Sequence, residues 1–130
     1  MAEYPTELEL RILKVLWEES PLKVREIRQA LADGGRDIAH TSVITVLNIM
    51  VDKGFLSRTQ VKNAFTFEPK VTRDEVSGRY VGDLVDRVFD GSAAAVMLSL
   101  LQTSELDTEE LKELRRLINQ LAKDQKESST

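Results

Sequence analysis

Thr41, Ser42, Thr45 and Asn48 share one side of a stretch whose other side is apolar. They are short, uncharged and rich in donors and acceptors, the chemistry needed to read base edges in a DNA groove. Asn48 has the pair of groups that bonds adenine in bidentate fashion, and Ile44 or a threonine methyl suits the methyl of thymine. Arg58 and Lys62 follow on a segment of different period and are the cations best placed for phosphates. Arg11, Lys14 and Arg28 are weaker candidates for the same contact. His40, the only histidine, opens the stretch. With no cysteine and no second histidine it cannot build a zinc site of ordinary ligand count. A contact with phosphate or base and a capping role are both open to it, the contact ranked ahead. Taken singly, each Ser or Thr is about as well explained by simple solvation; it is the group on one face that favours DNA.

These side chains need a helix to hold them. From Ala39 to Leu56 the chain reads AHTSVITVLNIMVDKGFL, and Val43, Leu47, Met50 and Val51 recur at the spacing of a buried helical stripe. Lys53 complements the dipole at the end of that helix, and Gly54 suits the left-handed residue that closes it. The recognition helix is therefore expected over about residues 40–53. Ahead of it, Thr6-Glu7-Leu8-Glu9 has the form of a capping box and predicts a first helix with Leu8, Ile12, Val15 and Leu16 inward, widened by Leu13 and Trp17. Ser20-Pro21 ends that helix, and Leu22-Lys23 suits a very short strand. A second helix is predicted from about Val24 to Ala32, with Val24, Ile27 and Leu31 inward, broken by Asp33-Gly34-Gly35.

After the recognition helix, LSRTQV and FTFEP flank Lys62-Asn63-Ala64, with Phe65 and Phe67 on one face. This reads as a half-buried hairpin ended by Pro69, the wing of a winged helix. Beyond Val71 three helices follow. Val76, Tyr80, Leu84 and Val88 form one stripe, Ala93 to Leu101 is strongly apolar, and Leu111, Leu114, Ile118 and Leu121 have the spacing of a short coiled-coil seam behind a capping box at Asp107. That is more apolar surface than one winged helix covers, so Leu84, Val88, Leu111, Leu114, Ile118 and Leu121 are expected at a homodimer interface. The expected fold is mainly α, an α+β winged helix with a C-terminal three-helix region. Residues 1–71 form the DNA-binding domain, 72–124 the dimerisation region and 125–130 a frayed polar tail.

Composition sets limits on this reading. With 42% hydrophobic and 31% charged residues in 130, the chain has the balance of a globular protein. No run approaches the eighteen or so apolar residues of a membrane span, and the opening MAEYPTELE has no basic or apolar leader pattern, so a cytoplasmic location is expected. The net charge of −4 is unevenly spread. Residues 21–71 hold eight Lys/Arg against five Asp/Glu, a balance of +3, whereas residues 72–130 hold eight against twelve, a balance of −4. The positive excess surrounds the helix and hairpin that would meet phosphates.

Six pieces, in order, resemble the penicillinase-repressor family of bacterial regulators: ELRILKVLWE, VREIRQAL, the stretch from Ala39 to Leu56, the hairpin ending FTFEPKVTRDE, DLVDRVFDGSAAAVMLSLL, and LDTEELKELRRLI. The resemblance spans nearly the whole chain. It implies a homodimer that binds a dyad-symmetric operator and represses transcription without a cofactor. It also implies, as in several members, derepression by cleavage in the C-terminal part, triggered by a membrane metalloprotease receptor. The β-lactam-responsive members are cut at an Asn-Phe bond, to which Ser99-Leu100 corresponds here. An arginine often found in the third helix is Ile49 in this chain, and the family's Phe-Gly-Gly-Ser element is Phe89-Asp90-Gly91-Ser92. The copper-sensing members use Cys-x-Cys pairs, for which this chain has no residues.

Two other classes compete. A winged helix can bind protein instead of DNA, a reading the local positive charge disfavours. An enzyme would need a nucleophile–base constellation or a glycine-rich phosphate loop, and the sequence offers neither pattern.

Overall fold

The computed structural model describes residues 4–128. The element order is α1 (Glu7–Glu18), β1 (Leu22–Lys23), α2 (Val24–Asp33), α3 (His40–Lys53), β2 (Leu56–Val61), β3 (Ala64–Pro69), α4 (Arg73–Val88), α5 (Ala93–Thr103) and α6 (Thr108–Ser128). The chain divides into two compact units, one running to Val81 and the other from Gly82 onward.

In the first unit, α1 begins where the sequence places it. The Thr6 hydroxyl accepts from the Glu9 backbone N–H at 3.2 Å, and the Glu9 carboxylate accepts from the Thr6 N–H at 2.8 Å. Ile12, Leu13 and Leu16 of α1 meet Ile27 and Leu31 of α2 and Val43, Leu47 and Met50 of α3 in one core. Leu8, Val15, Val24 and Val51 sit half-buried at its margin. The three strands close that core in the antiparallel order β1-β3-β2, through Leu22, Leu56 and Phe67. This is a winged helix, three helices and a small sheet.

Lys53 ends α3 in a Schellman motif. Gly54 has φ 86°, its N–H bonds the carbonyl of Val51, and the Phe55 N–H reaches the carbonyl of Met50 at 2.9 Å. Met50 and Phe55 are both buried, the apolar contact that accompanies this cap. A Cβ on Gly54 would meet nothing within 4 Å. Gly54→Ala is therefore expected to clash with no neighbour and to cost only the strain of a Cβ in the left-handed region, about 1–2 kcal/mol, measured as a lower melting temperature.

Some expectations need correction. The hairpin loop is two residues, Lys62-Asn63, with Ala64 already paired to Val61. Phe65 and Phe67 do share a face, but Phe67 is 3% exposed and Phe65 44%. The core covers only the inner end of the wing. The two compact units divide inside α4, whose first turns are bound to the N-terminal unit. Val76 joins the core, the Tyr80 hydroxyl donates to the carbonyl of Pro5 at 3.0 Å, and the rings of Tyr4 and Tyr80 stack at 4.7 Å.

In the second unit, α5 is capped by Ser92, whose hydroxyl accepts from the Ala95 N–H. The Asp107 carboxylate and the Glu110 side chain form a reciprocal cap ahead of α6. That helix continues to Ser128, and residues 129–130 of the polar tail lie outside the described residues. Among the described residues no helix is long and apolar enough to cross a membrane.

Candidate nucleic-acid interface

Helix α3 presents its polar face outward because its apolar stripe is fully committed to the core. Val43, Leu47 and Met50 are at most 1% exposed. Thr41, Ser42 and Thr45 are exposed on the opposite side with Ile44, and Asn48 is half-buried at the end of that row. Thr45 donates its hydroxyl to the carbonyl of Thr41 at 3.0 Å. With its proton used within the helix, Thr45 offers outward its methyl and its oxygen lone pairs. The residue ahead of the helix is Ala39, which makes no side-chain cap, and His40 is exposed in the first turn. The free N–H groups of that turn add a site suited to an anion.

The helix is clamped at its end. At its C-terminal end the Lys53 ammonium reaches both carboxylate oxygens of Glu9, at 3.0 and 3.1 Å, and Glu9 is only 2% exposed. A buried carboxylate needs such partners, and here the cap of α1 and the cation of α3 supply them together. This clamp fixes how α3 crosses α1, and nothing in local sequence signals it, since 44 residues separate the pair.

The wing contributes Arg58, and here the structure joins two residues that the sequence treats separately. The Arg58 Nη1 donates to the Oδ1 of Asn48 at 2.6 Å, and the guanidinium lies 5.1 Å from the centroid of Phe65. Exposed Phe65 thus serves as a platform for Arg58 rather than as core. Lys62 is exposed at the tip of the hairpin, with φ 58°, a left-handed conformation that glycine or asparagine would adopt at less cost.

Of the other cations, Arg11 pairs with Glu7 at 3.5 Å, and Lys14 is exposed on α1. Arg28 is fixed by donating its Nε to the carbonyl of Ile38 at 2.8 Å. It lines a cleft of about 300 Å³ with Arg25, Gln29, Ala32, Asp37 and His40. Arg25 and Gln29 are additions to the sequence-derived set. Their signal was their outward position on α2, next to the start of α3.

The residues expected at a dimer interface are all exposed within the chain: Leu84, Val88, Leu111, Leu114, Ile118 and Leu121 lie between 38% and 63%. Met97, Leu98, Leu100, Leu101 and Leu117 of the second unit are exposed as well, beyond the expected set. Ser99 and Leu100 sit inside α5, where the Ser99 carbonyl accepts from the Thr103 hydroxyl at 2.7 Å.

Comparison with known proteins agrees with this architecture. The family model described as "Penicillinase repressor" matches residues 5–120. The transcriptional regulator BlaI of Mycobacterium tuberculosis is 30% identical over 117 residues, which cover 88% of this chain and 83% of that protein. A penicillinase repressor of Bacillus licheniformis is 22% identical over 115 residues, covering 88% and 89%. Among solved structures, RosR of H. salinarum superposes with a TM-score of 0.51 at 17% identity, covering 95% of this chain and 99% of that one, a likeness of fold.

Proposed function

The chain belongs to the penicillinase repressor family, and we propose that it represses transcription as a homodimer, each subunit laying α3 in the major groove with its wing on the adjacent backbone. The observation that carries this reading is the row Thr41, Ile44, Thr45 and Asn48 on the outer face of α3, tied to the wing through Arg58. Base edges meet the row, and phosphates meet Arg58, Lys62, the start of α3 and the Arg25–Arg28 cleft. His40 stands where it can serve either.

Dimerisation is supported by the second unit's own lack of a core. None of the 21 residues of α6 is buried, and of α5 only Val96 is. Helices draw most of their stability from a packed apolar face, so these need a partner surface, and a second copy supplies a matching one. Two copies on a dyad place their half-sites about one helical turn, ~34 Å, apart. The membrane metalloprotease receptor implied by the resemblance would act on the second unit. Cutting Ser99-Leu100 requires α5 to open first, and would sever α6 and its apolar face from the DNA-binding unit.

Electrophoretic retardation with a random-sequence duplex at low salt tests the DNA reading cheaply. Wild type is expected to shift the duplex, and a protein-binding winged helix would not. Lys62→Ala keeps a Cβ at the strained position and removes the ammonium with its exposed methylene stem. It is expected to weaken binding to all sequences alike and to reduce the slope of log affinity against log salt by about 1. An unchanged slope would take Lys62 off the phosphate backbone.

A further inference from the structure

Resting on the DNA-binding reading above, we infer that Arg58 sets the base specificity of Asn48, turning it from a reader of adenine into a reader of the acceptor edges of guanine or thymine. Arginine has five N–H donors and no acceptor, so the 2.6 Å bond to Asn48 decides which end of the amide faces the wing. It must be Oδ1. The two Nδ2 protons are then the groups left to meet a ligand. An asparagine that reads adenine accepts from N6 and donates to N7 at once. Here the accepting half is held by a guanidinium, whose charge also repels the amino hydrogens of adenine N6 and cytosine N4. Guanine N7 and O6 and thymine O4 present acceptors only, and suit an outward NH₂.

Arg58 is held for this task. Its guanidinium lies over Phe65, so it approaches Asn48 from a fixed platform, and β2 and β3 are paired from Leu56 to Val61 on one side and from Ala64 to Pro69 on the other. The bond to an ionised donor is also short, which makes it costly to open on binding. Specificity at this position is therefore a property of helix and wing together.

The test is selection of binding sites from a randomised duplex library, followed by sequencing, with the full chain as wild type, Asn48→Ala, Arg58→Ala and Arg58→Lys. The position whose preference is lost in Asn48→Ala identifies the base that Asn48 meets. At that position wild type is expected to favour guanine or thymine over adenine by about tenfold. Arg58→Ala frees Oδ1, so adenine is expected to rise at least to parity there, while other positions keep their order. Arg58→Lys, which keeps the charge but not the planar fork, is expected to fall between. A residue that merely supports the fold would weaken binding without changing which base is preferred. Adenine or cytosine favoured by wild type, an unchanged preference in Arg58→Ala, or no position lost in Asn48→Ala would overturn the inference while leaving DNA binding intact. If wild type enriches no sequence, the DNA-binding reading itself fails and this inference with it.

Discussion

Aspartate at both Ile118 and Leu121 is expected to leave the protein monomeric at micromolar concentration and to weaken operator binding by about 10²–10⁴-fold. Both side chains are more than half exposed within the chain, so neither substitution removes a contact from the core of the first unit. Their cost arises between copies, where like charges would face each other across an apolar seam. The loss of affinity follows from linkage: with one subunit on its half-site, the second binds as though highly concentrated, and a monomer forgoes that gain. The modest cation count of helix and wing makes the dependence steep. Light scattering over a concentration series measures the mass, and titration of the operator measures the affinity. Wild type that is monomeric at micromolar concentration would refute the dimer.

Leu47→Ala is expected to destabilise the first unit by about 2–5 kcal/mol. Leu47 is fully buried, in the same core as Ile12, Leu16, Ile27 and Met50. For a unit of this size each kcal/mol lowers the melting temperature by about 4–8 °C, so the shift is large and easily read. Ile49→Ala is the control, two residues along the same helix but 43% exposed. It is expected to change stability by no more than about 0.5 kcal/mol. Equal effects from the two would mean that α3 does not bury the face described.

What was legible in the sequence was local. Thr6-x-x-Glu9 and Asp107-x-x-Glu110 are spaced so that each side chain reaches the other's backbone, and both caps form. Thr72-Arg73-Asp74-Glu75 has the same form and caps α4 in the same way. The bounds of α3 and the role of Gly54 followed from an apolar period that ends at a residue free to take positive φ.

What was not legible depends on which neighbour covers a face. Period two puts Phe65 and Phe67 on one side of β3, but only contact with the helices decides that Phe67 is core and Phe65 a platform for Arg58. Glu9 reads as one more solvated acid on an amphipathic helix until Lys53 is brought to it from α3. Asn48 and Arg58 likewise read as independent contacts, one to a base and one to a phosphate, until the turn at Gly54 folds the wing back beside the helix. The exposed apolar surface of the second unit is hard to read for a related reason. A heptad seam is conspicuous on α6, whereas on α5 the uniformly apolar run hides which of Met97, Leu98, Leu100 and Leu101 stays uncovered.

In the proposed function, two copies of α3, each with its wing, read DNA as a symmetric pair. Hydroxyl-radical footprinting of the wild-type protein on a duplex recovered by selection tests it most directly. Two protected patches related by a dyad are expected, with centres about one helical turn, ~34 Å, apart. A single asymmetric patch, or protection spread evenly along the duplex, would contradict it.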